Sequence, residues 1–126
     1  MPLVRISLRQ GKSEAYRRAL ADGVHRALVE TLKVPEADRF QLVSEYAESG
    51  LIYHPNYLEI ARTDSVVFVQ ITLNTGRTTE LKKAFYARVV ELLAESPGVR
   101  KEDLLISLLE VNKENWSFGN GIAQYA

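Results

Sequence analysis

An internal repeat limits the fold of this 126-residue chain more than any other feature of its sequence. An offset of 65 positions aligns Ile6-Ser7-Leu8 with Ile71-Thr72-Leu73, and Gly11-Lys12-Ser13 with Gly76-Arg77-Thr78. A repeat at a fixed offset indicates that one supersecondary unit occurs twice. The chain is therefore predicted to be one domain, 1–126, with repeat halves at 2–46 and 66–111 and a tail at 112–126.

Each half carries the signals of a strand, a helix and a second strand. Alternating apolar and polar residues predict the strands, and apolar residues at helical spacing predict the helix between them. Ser13 and Thr78 stand before the two helices, where a side-chain oxygen can accept a free backbone N–H. The four strands are predicted at 2–9, 40–46, 66–73 and 104–111.

The order of these elements predicts the α+β class. A helix that crosses between two strands normally leaves the strands parallel and the connection right-handed. Two β-α-β units therefore predict a four-stranded mixed sheet with both helices on one face. Apolar residues occupy both sides of the third strand, with Val67, Val69 and Ile71 alternating with Val66, Phe68 and Gln70. This pattern favours burial of the other face against another subunit, and the alternative is a ferredoxin-like monomer.

The tail carries aromatic residues and glycines together. Trp116 and Phe118 need a surface on which to pack, and Gly119 and Gly121 follow them closely. Glycines among aromatic residues predict a turn or short hairpin that reaches a pocket or a neighbouring subunit.

The composition of the chain disfavours several classes of function. Sixteen Lys and Arg residues balance sixteen Asp and Glu residues, which disfavours nucleic-acid binding through phosphate neutralisation. The chain has no cysteine and only two histidines, on different elements, so we expect no metal site. Its N-terminal segment contains Arg5 and Arg9, unlike a secretory signal, and no apolar run reaches the length of a membrane span. We expect a cytoplasmic protein with no membrane partner.

Pro2 is the residue with the most specific chemical implication. Removal of the initiator methionine, which is usual before a small residue, would leave a secondary amine at the start of the first strand. An unperturbed terminal amine has a pKa of about 8, close enough to neutrality for it to act as an acid or a base.

Four segments, distributed over nearly the whole chain, resemble the tautomerase superfamily and, within it, the malonate semialdehyde decarboxylase group. The segments are PLVRISLRQGKS at 2–13, VPEADRF at 34–40, GRTTELKKAFY at 76–86 and ENWSFGNG at 114–121. The resemblance implies a tautomerase-like fold, a homotrimer and an active site without a cofactor.

The resemblance also implies roles for individual residues. Pro2 would be the catalytic amine, and Asp38 would match an acidic residue that orients water or the proton of the amine. Arg77 would match one of two arginines that hold a substrate carboxylate. The second arginine position is Thr75, which cannot hold a carboxylate in that way. From the sequence alone, Asp38 could equally complete a turn, as its repeat counterpart Asp103 would.

Three aromatic residues and one histidine complete the implied site. Trp116 and Phe118 would line the pocket. Phe40 stands where a tyrosine often follows the acidic residue, so one hydroxyl donor is missing. His25 occupies a position at which some dehalogenases of the superfamily carry an active-site histidine, but its neighbours indicate a histidine on the helix surface or at an interface.

The leading hypothesis is an enzyme that transfers protons on a small 2-keto or 3-oxo carboxylic acid through the Pro2 amine. A neutral amine would favour keto–enol tautomerisation, whereas a cationic amine would support decarboxylation or hydration. The alternative is a non-catalytic oligomeric interaction protein that retains Met1, because the nitrogen of Pro2 is then an amide. RNA binding through the sheet is opposed by the neutral charge.

Overall fold

The predicted order of strand, helix and strand occurs twice in the computed structural model, which describes all residues 1–126. Two of the predicted strands are confirmed to the residue, and the strands predicted at 2–9 and 66–73 differ by one residue at their ends. The elements are β1 (Leu3–Arg9), α1 (Glu14–Leu32), β2 (Phe40–Tyr46), β3 (Val67–Asn74), α2 (Thr79–Glu95) and β4 (Leu104–Val111).

The repeat is also visible in the backbone where each half passes from strand to helix. Gly11 and Gly76 have φ angles of 118° and 122°, in the region that favours glycine. Ser13 Oγ accepts a hydrogen bond from the backbone N–H of Tyr16 at 3.0 Å, and Thr78 Oγ1 accepts from Leu81 at 3.2 Å. The two predicted helix caps are therefore confirmed.

The four strands form one mixed sheet in the order β2-β1-β3-β4. β1 is parallel to β2, β3 is parallel to β4, and the two central strands are antiparallel. Leu3 consequently pairs with Phe40 on one side and with Thr72 on the other. The start of β1, the start of β2 and the end of β3 meet at one end of the sheet, which we call the Pro2 end.

Both helices pack on the same face of the sheet, as predicted. The core alternates along the central strands, so that Val4 and Ile6 of β1 face inwards together with Val69 and Ile71 of β3. Gly23 lies where α1 meets α2, and a Cβ atom there would stand only 2.6 Å from Leu93 Cδ2. A glycine therefore allows the close approach of the helices. Neither helix is long and apolar enough to cross a membrane.

The open face of the sheet is apolar mainly at its outer strands. The prediction that β3 itself is apolar on both sides is only partly correct, because Gln70 and Thr72 stand on the open side of β3 and Val66 is buried before the strand begins. The side chains that form this open apolar face are Phe40, Leu42 and Tyr46 of β2, Phe68 of β3, and Leu105 and Leu109 of β4.

Of the two forms predicted for the tail, the structure shows turns and no hairpin. It makes a 3-10 turn at Lys113–Asn115 and continues in further turns without a strand. A side chain replaces the backbone ladder, because Gln124 accepts from the N–H of Phe118 at 2.9 Å and donates to the carbonyl of Gly119 at 3.0 Å. The tail is closed by one glutamine and returns its aromatic residues to the sheet.

Candidate active site

The N-terminus lies against a buried acid at the Pro2 end of the sheet. Pro2 is buried, and the ammonium nitrogen of Met1 lies 3.3 Å from Asp38 Oδ2. β1 and β2 are parallel and begin side by side, so the residue before β1 and the turn before β2 come together. The sheet topology therefore brings the two predicted residues Pro2 and Asp38 to the same place.

Asp38 is a buried carboxylate without hydrogen-bond partners. Its side chain is 7% exposed, and neither oxygen accepts a hydrogen bond. Its backbone N–H donates to the carbonyl of Pro35 at 3.0 Å, so the turn is closed by the main chain and does not use the carboxylate. Burial of an unpaired carboxylate is unfavourable, and its one ion pair is with the Met1 ammonium.

The neighbouring cation Arg39 does not neutralise Asp38. Arg39 Nη2 lies 2.6 Å from Asp22 Oδ1, and Arg39 Nε donates to Gln41 Oε1 at 2.7 Å. The hydrogen bond from Arg39 holds the pKa of Asp22 below its usual value. Arg39 thus pairs with Asp22, and the ion pair of Asp38 is with the N-terminus.

His25 lies behind the turn that carries Asp38. Its ring is buried, with Nε2 2.8 Å from the carbonyl oxygen of Glu36, so Nε2 carries the proton and donates. The expectation of a histidine on the exposed helix surface is therefore wrong, because the imidazole is buried and bonds to the turn. His25 links α1 to the segment that carries the acid.

Arg77 lies between the end of β3 and the C-terminus of α1. Its Nη1 donates to the carbonyl of Asn74 at 3.2 Å, and its Nη2 donates to the carbonyl of Leu32 at 3.4 Å. The last carbonyls of a helix carry partial negative charge, which suits a guanidinium. Arg77 is half-buried and forms no ion pair with a carboxylate of the chain, so its charge remains available to an anion.

Thr75 is exposed in the turn before Arg77. Its backbone N–H donates to the carbonyl of Val111 at 3.0 Å, which extends the pairing of β3 with β4. The threonine side chain makes no hydrogen bond. It contributes to the turn through its backbone.

The predicted aromatic residues form one cluster at this end of the sheet. Trp116 stacks on Phe118 with ring centroids 5.3 Å apart and planes inclined by 14°. Phe118 contacts Phe40 at 5.9 Å and meets Tyr125 edge-on at 5.6 Å. The tail thereby packs against the start of β2.

Asn74 is a further residue of the site, and no pattern in the sequence points to it. Its side-chain oxygen accepts a hydrogen bond of 2.7 Å from Trp116 Nε1, and its backbone carbonyl accepts from Arg77. The only signal in the sequence is a polar residue at the end of a strand, which is too common to indicate a role. One residue thus links the aromatic cluster to the guanidinium.

The arrangement combines a buried acid beside an N-terminus, an arginine with no acidic partner, and an aromatic cluster. Such a site can hold an anion and can move a proton at the amine. No group of three or more His, Cys, Asp or Glu side chains that could hold a metal ion occurs in the chain. Two β-α-β halves that share one mixed sheet, with this site at the Pro2 end, define an α+β domain of the tautomerase type.

Comparisons with known proteins identify the family. Two models described as tautomerase enzyme match the chain, one over residues 38–119 and the other over residues 2–61. The probable tautomerase YusQ of Bacillus subtilis strain 168 is 44% identical over 124 residues, which is 98% of each chain. The chain belongs to the tautomerase family and is a tautomerase-family enzyme.

Solved structures agree with this assignment. FG41 malonate semialdehyde decarboxylase, inhibited by 3-bromopropiolate, is 41% identical with a TM-score of 0.92, covering 98% of this chain and 93% of that chain. A fused 4-OT symmetric trimer is 25% identical with a TM-score of 0.80, covering 98% and 97%. The predicted tautomerase-like fold and the grouping with malonate semialdehyde decarboxylases are confirmed.

Proposed function

We propose that this protein is a cofactor-independent enzyme that uses the Pro2 amine, freed by removal of Met1, for proton transfer on a small 2-keto or 3-oxo carboxylic acid. The observation that carries the proposal is the position of Asp38. A buried carboxylate that accepts no hydrogen bond lies 3.3 Å from an N-terminal ammonium. Burial of such a carboxylate lowers the stability of the fold. Its presence therefore supports a role for Asp38 in controlling the charge of an amine.

Removal of Met1 would shift the terminal amine only a short distance. One residue of extended chain spans at most about 3.6 Å, so the Pro2 nitrogen stays close to the region that the Met1 ammonium occupies. Pro2 is buried and is followed directly by β1, so the sheet would hold its ring in place. Asp38 would then be the nearest acid to the new secondary amine.

The charge of Asp38 favours the cationic form of that amine. An opposite charge within a few ångströms stabilises an ammonium ion, and burial strengthens the effect because water screens less. A cationic Pro2 could donate a proton to the carbonyl oxygen of a 3-oxo acid while the bond to the carboxylate carbon breaks. Carbon dioxide leaves, and the remaining enol takes a proton on carbon from water while its hydroxyl proton returns to the Pro2 amine, which restores the ammonium form.

The same groups serve tautomerisation of a 2-keto acid. The Pro2 ammonium would deliver a proton to the carbon of the enol while the enol hydroxyl releases its proton to water. In the reverse direction, the neutral amine removes the proton from carbon. Both reactions need the substrate carboxylate to be held, and both need the same amine.

Arg77 is the proposed carboxylate ligand. Its guanidinium has backbone carbonyls as its only partners, so a substrate carboxylate would supply the missing negative charge. Thr75 offers no second cation, so the carboxylate is held less firmly. This disfavours decarboxylation, which benefits from a firmly held carboxylate, and makes tautomerisation the more general of the two activities. The similarity to a malonate semialdehyde decarboxylase supports decarboxylation as the other activity.

The test compares protein with and without Met1. Mass spectrometry establishes which N-terminus is present, and the two forms are assayed with phenylpyruvate and with a 3-oxo acid. We expect turnover only from the form that begins at Pro2. Equal turnover by both forms would contradict the amine mechanism.

The Met1–Asp38 ion pair also supports the second candidate, an interaction protein that keeps Met1 and has no catalytic amine. The native mass distinguishes the two. Retention of Met1 in protein from its own host would favour the interaction protein, and a mass without Met1 would favour the enzyme.

We further propose that the chain assembles as a trimer through the open apolar face of its sheet. Leu42 and Leu109 are 46% and 52% exposed there, and large apolar side chains gathered on one face are typical of a subunit interface. The trimeric 4-OT relative supports this number of subunits.

A further inference from the structure

We infer that Asn74 is a positioning residue of the proposed active site, acting by fixing the indole ring of Trp116. The inference rests on the proposed function, because it assigns Asn74 to the same substrate pocket. Its basis is one side-chain hydrogen bond of 2.7 Å between Trp116 Nε1 and Asn74 Oδ1, which joins the tail to the end of β3.

The orientation of this hydrogen bond is unambiguous. The indole N–H is only a donor, so the asparagine must present its oxygen to it. Both side chains are half-buried, and a half-buried N–H without an acceptor would lose a bond that water cannot fully replace. The bond therefore determines which way the indole faces.

Asn74 contacts both the tryptophan and the arginine of the proposed pocket, but with different atoms. Its side chain holds Trp116, whereas its backbone carbonyl accepts from Arg77 Nη1. A substitution of the side chain consequently frees the indole and leaves the contact with the guanidinium intact. The effect of the indole on substrate binding can therefore be measured separately from that of Arg77.

The fixed orientation of the indole ring affects how a substrate binds. Because its N–H is already bonded to Asn74, Trp116 offers a substrate only the face and edge of the ring that Phe118 leaves uncovered. An apolar surface fixed beside an arginine orders the carbon chain of a keto acid whose carboxylate is bound. Loss of the tether should therefore weaken binding more than it slows the chemical step.

The experiment is a double-mutant cycle with N74L and W116F, measured on protein that begins at Pro2. Leucine has nearly the shape of asparagine but no acceptor, and phenylalanine removes the donor. We expect N74L to raise KM about five- to tenfold with kcat changed less than about twofold. In the W116F protein, N74L should change KM less than about twofold, because the bond it removes is already absent.

A second readout does not depend on activity. The chain has a single tryptophan, so its fluorescence reports on residue 116 alone. We expect N74L to shift the emission to longer wavelength and to increase quenching by acrylamide. N115L is the matched control, since Asn115 is exposed and its side chain makes no hydrogen bond, and it should change neither emission nor KM.

Equal effects of N74L on KM with and without W116F would overturn the inference, because Asn74 would then act through the strand end and not through the indole. Unchanged emission in N74L would also overturn it. If the wild-type protein shows no turnover, the proposed function fails, and the emission comparison alone still decides whether Asn74 holds the indole.

Discussion

Asp38 and Asp103 occupy equivalent positions in the two halves of the chain, but only Asp103 has hydrogen-bond partners. Asp103 accepts from the backbone N–H of Thr63 and from Thr63 Oγ1, both at 2.7 Å, whereas neither oxygen of Asp38 accepts a hydrogen bond. Both carboxylates are buried. The duplicated unit thus uses one aspartate to fix a loop and leaves the other beside the N-terminus.

The first prediction compares the stability of D103A and D38A. D103A removes the acceptor of two hydrogen bonds to a charged group and should lower the free energy of unfolding by about 2 kcal/mol. D38A removes a buried carboxylate that accepts no hydrogen bond and whose burial is itself unfavourable, so it should cost less than D103A. Urea denaturation of the two variants measures the difference. Equal losses would mean that Asp38 is a structural turn residue like Asp103.

The second prediction concerns the charge of the Pro2 amine. D38N removes the negative charge that stabilises the ammonium form, so the ionisation of the amine should move to lower pH. The pH–rate profile of the Met1-free variant should therefore shift to the acid side of the wild-type profile. The profile is measured as kcat/KM against pH, and an unchanged profile would exclude Asp38 from control of the amine.

The fold could be predicted from the sequence because its signals are local and occur twice. The glycine turn and the Ser13 or Thr78 cap mark each helix, and alternation marks each strand, so errors are confined to one residue at strand ends. The tail was less predictable. Its backbone has no ladder, and Gln124 closes it through contacts with Phe118 and Gly119 that no short-range pattern encodes.

Only part of the site could be predicted, for a similar reason. Asp38 and Arg77 stand in recognisable segments, but nothing in the sequence distinguishes Asp38 from Asp103, since the difference lies in which partners the fold brings to each. Asn74 has no signal, because its role depends on a contact across 42 positions with Trp116. The burial of His25 depends in the same way on the turn that folds over it.

The third prediction concerns how the free energy of unfolding depends on pH. Hydrogen bonds from Arg88 and Arg26 lower the pKa of Glu30 from 4.5 to about 2, and the bond from Arg88 joins α2 to α1. A lowered pKa in the folded state stabilises the protein above pH 4.5, and this contribution is lost as the pH falls towards 2. E30Q should therefore be less stable than the wild type at neutral pH, and the gap should close on acidification. Urea denaturation across this range tests it, and a gap that does not change with pH would contradict it.

The fourth prediction concerns the open apolar face. L109E places a charge on the face proposed to be covered in the trimer, and it should dissociate the protein at micromolar concentration because an unpaired charge in an interface is costly. L81E is the matched control, because Leu81 is 41% exposed on α2, away from that face. Light scattering should show trimers for the wild type and L81E only. Trimers of L109E would place the interface elsewhere.

The last prediction separates binding from chemistry at the proposed site. A carboxylate contact that is equally strong in the ground state and the transition state affects KM, whereas the group that transfers the proton affects kcat. R77A should therefore chiefly raise KM for phenylpyruvate. Charge-assisted hydrogen bonds contribute about 1.5–3 kcal/mol, so kcat/KM should fall about ten- to a hundredfold.

Lys12, the repeat counterpart of Arg77, provides the matched control, and K12A should leave KM unchanged. P2A keeps a terminal amine and should retain part of the activity, with the loss in kcat. A fall in kcat alone in R77A would mean that the arginine acts on the transition state and does not anchor the substrate.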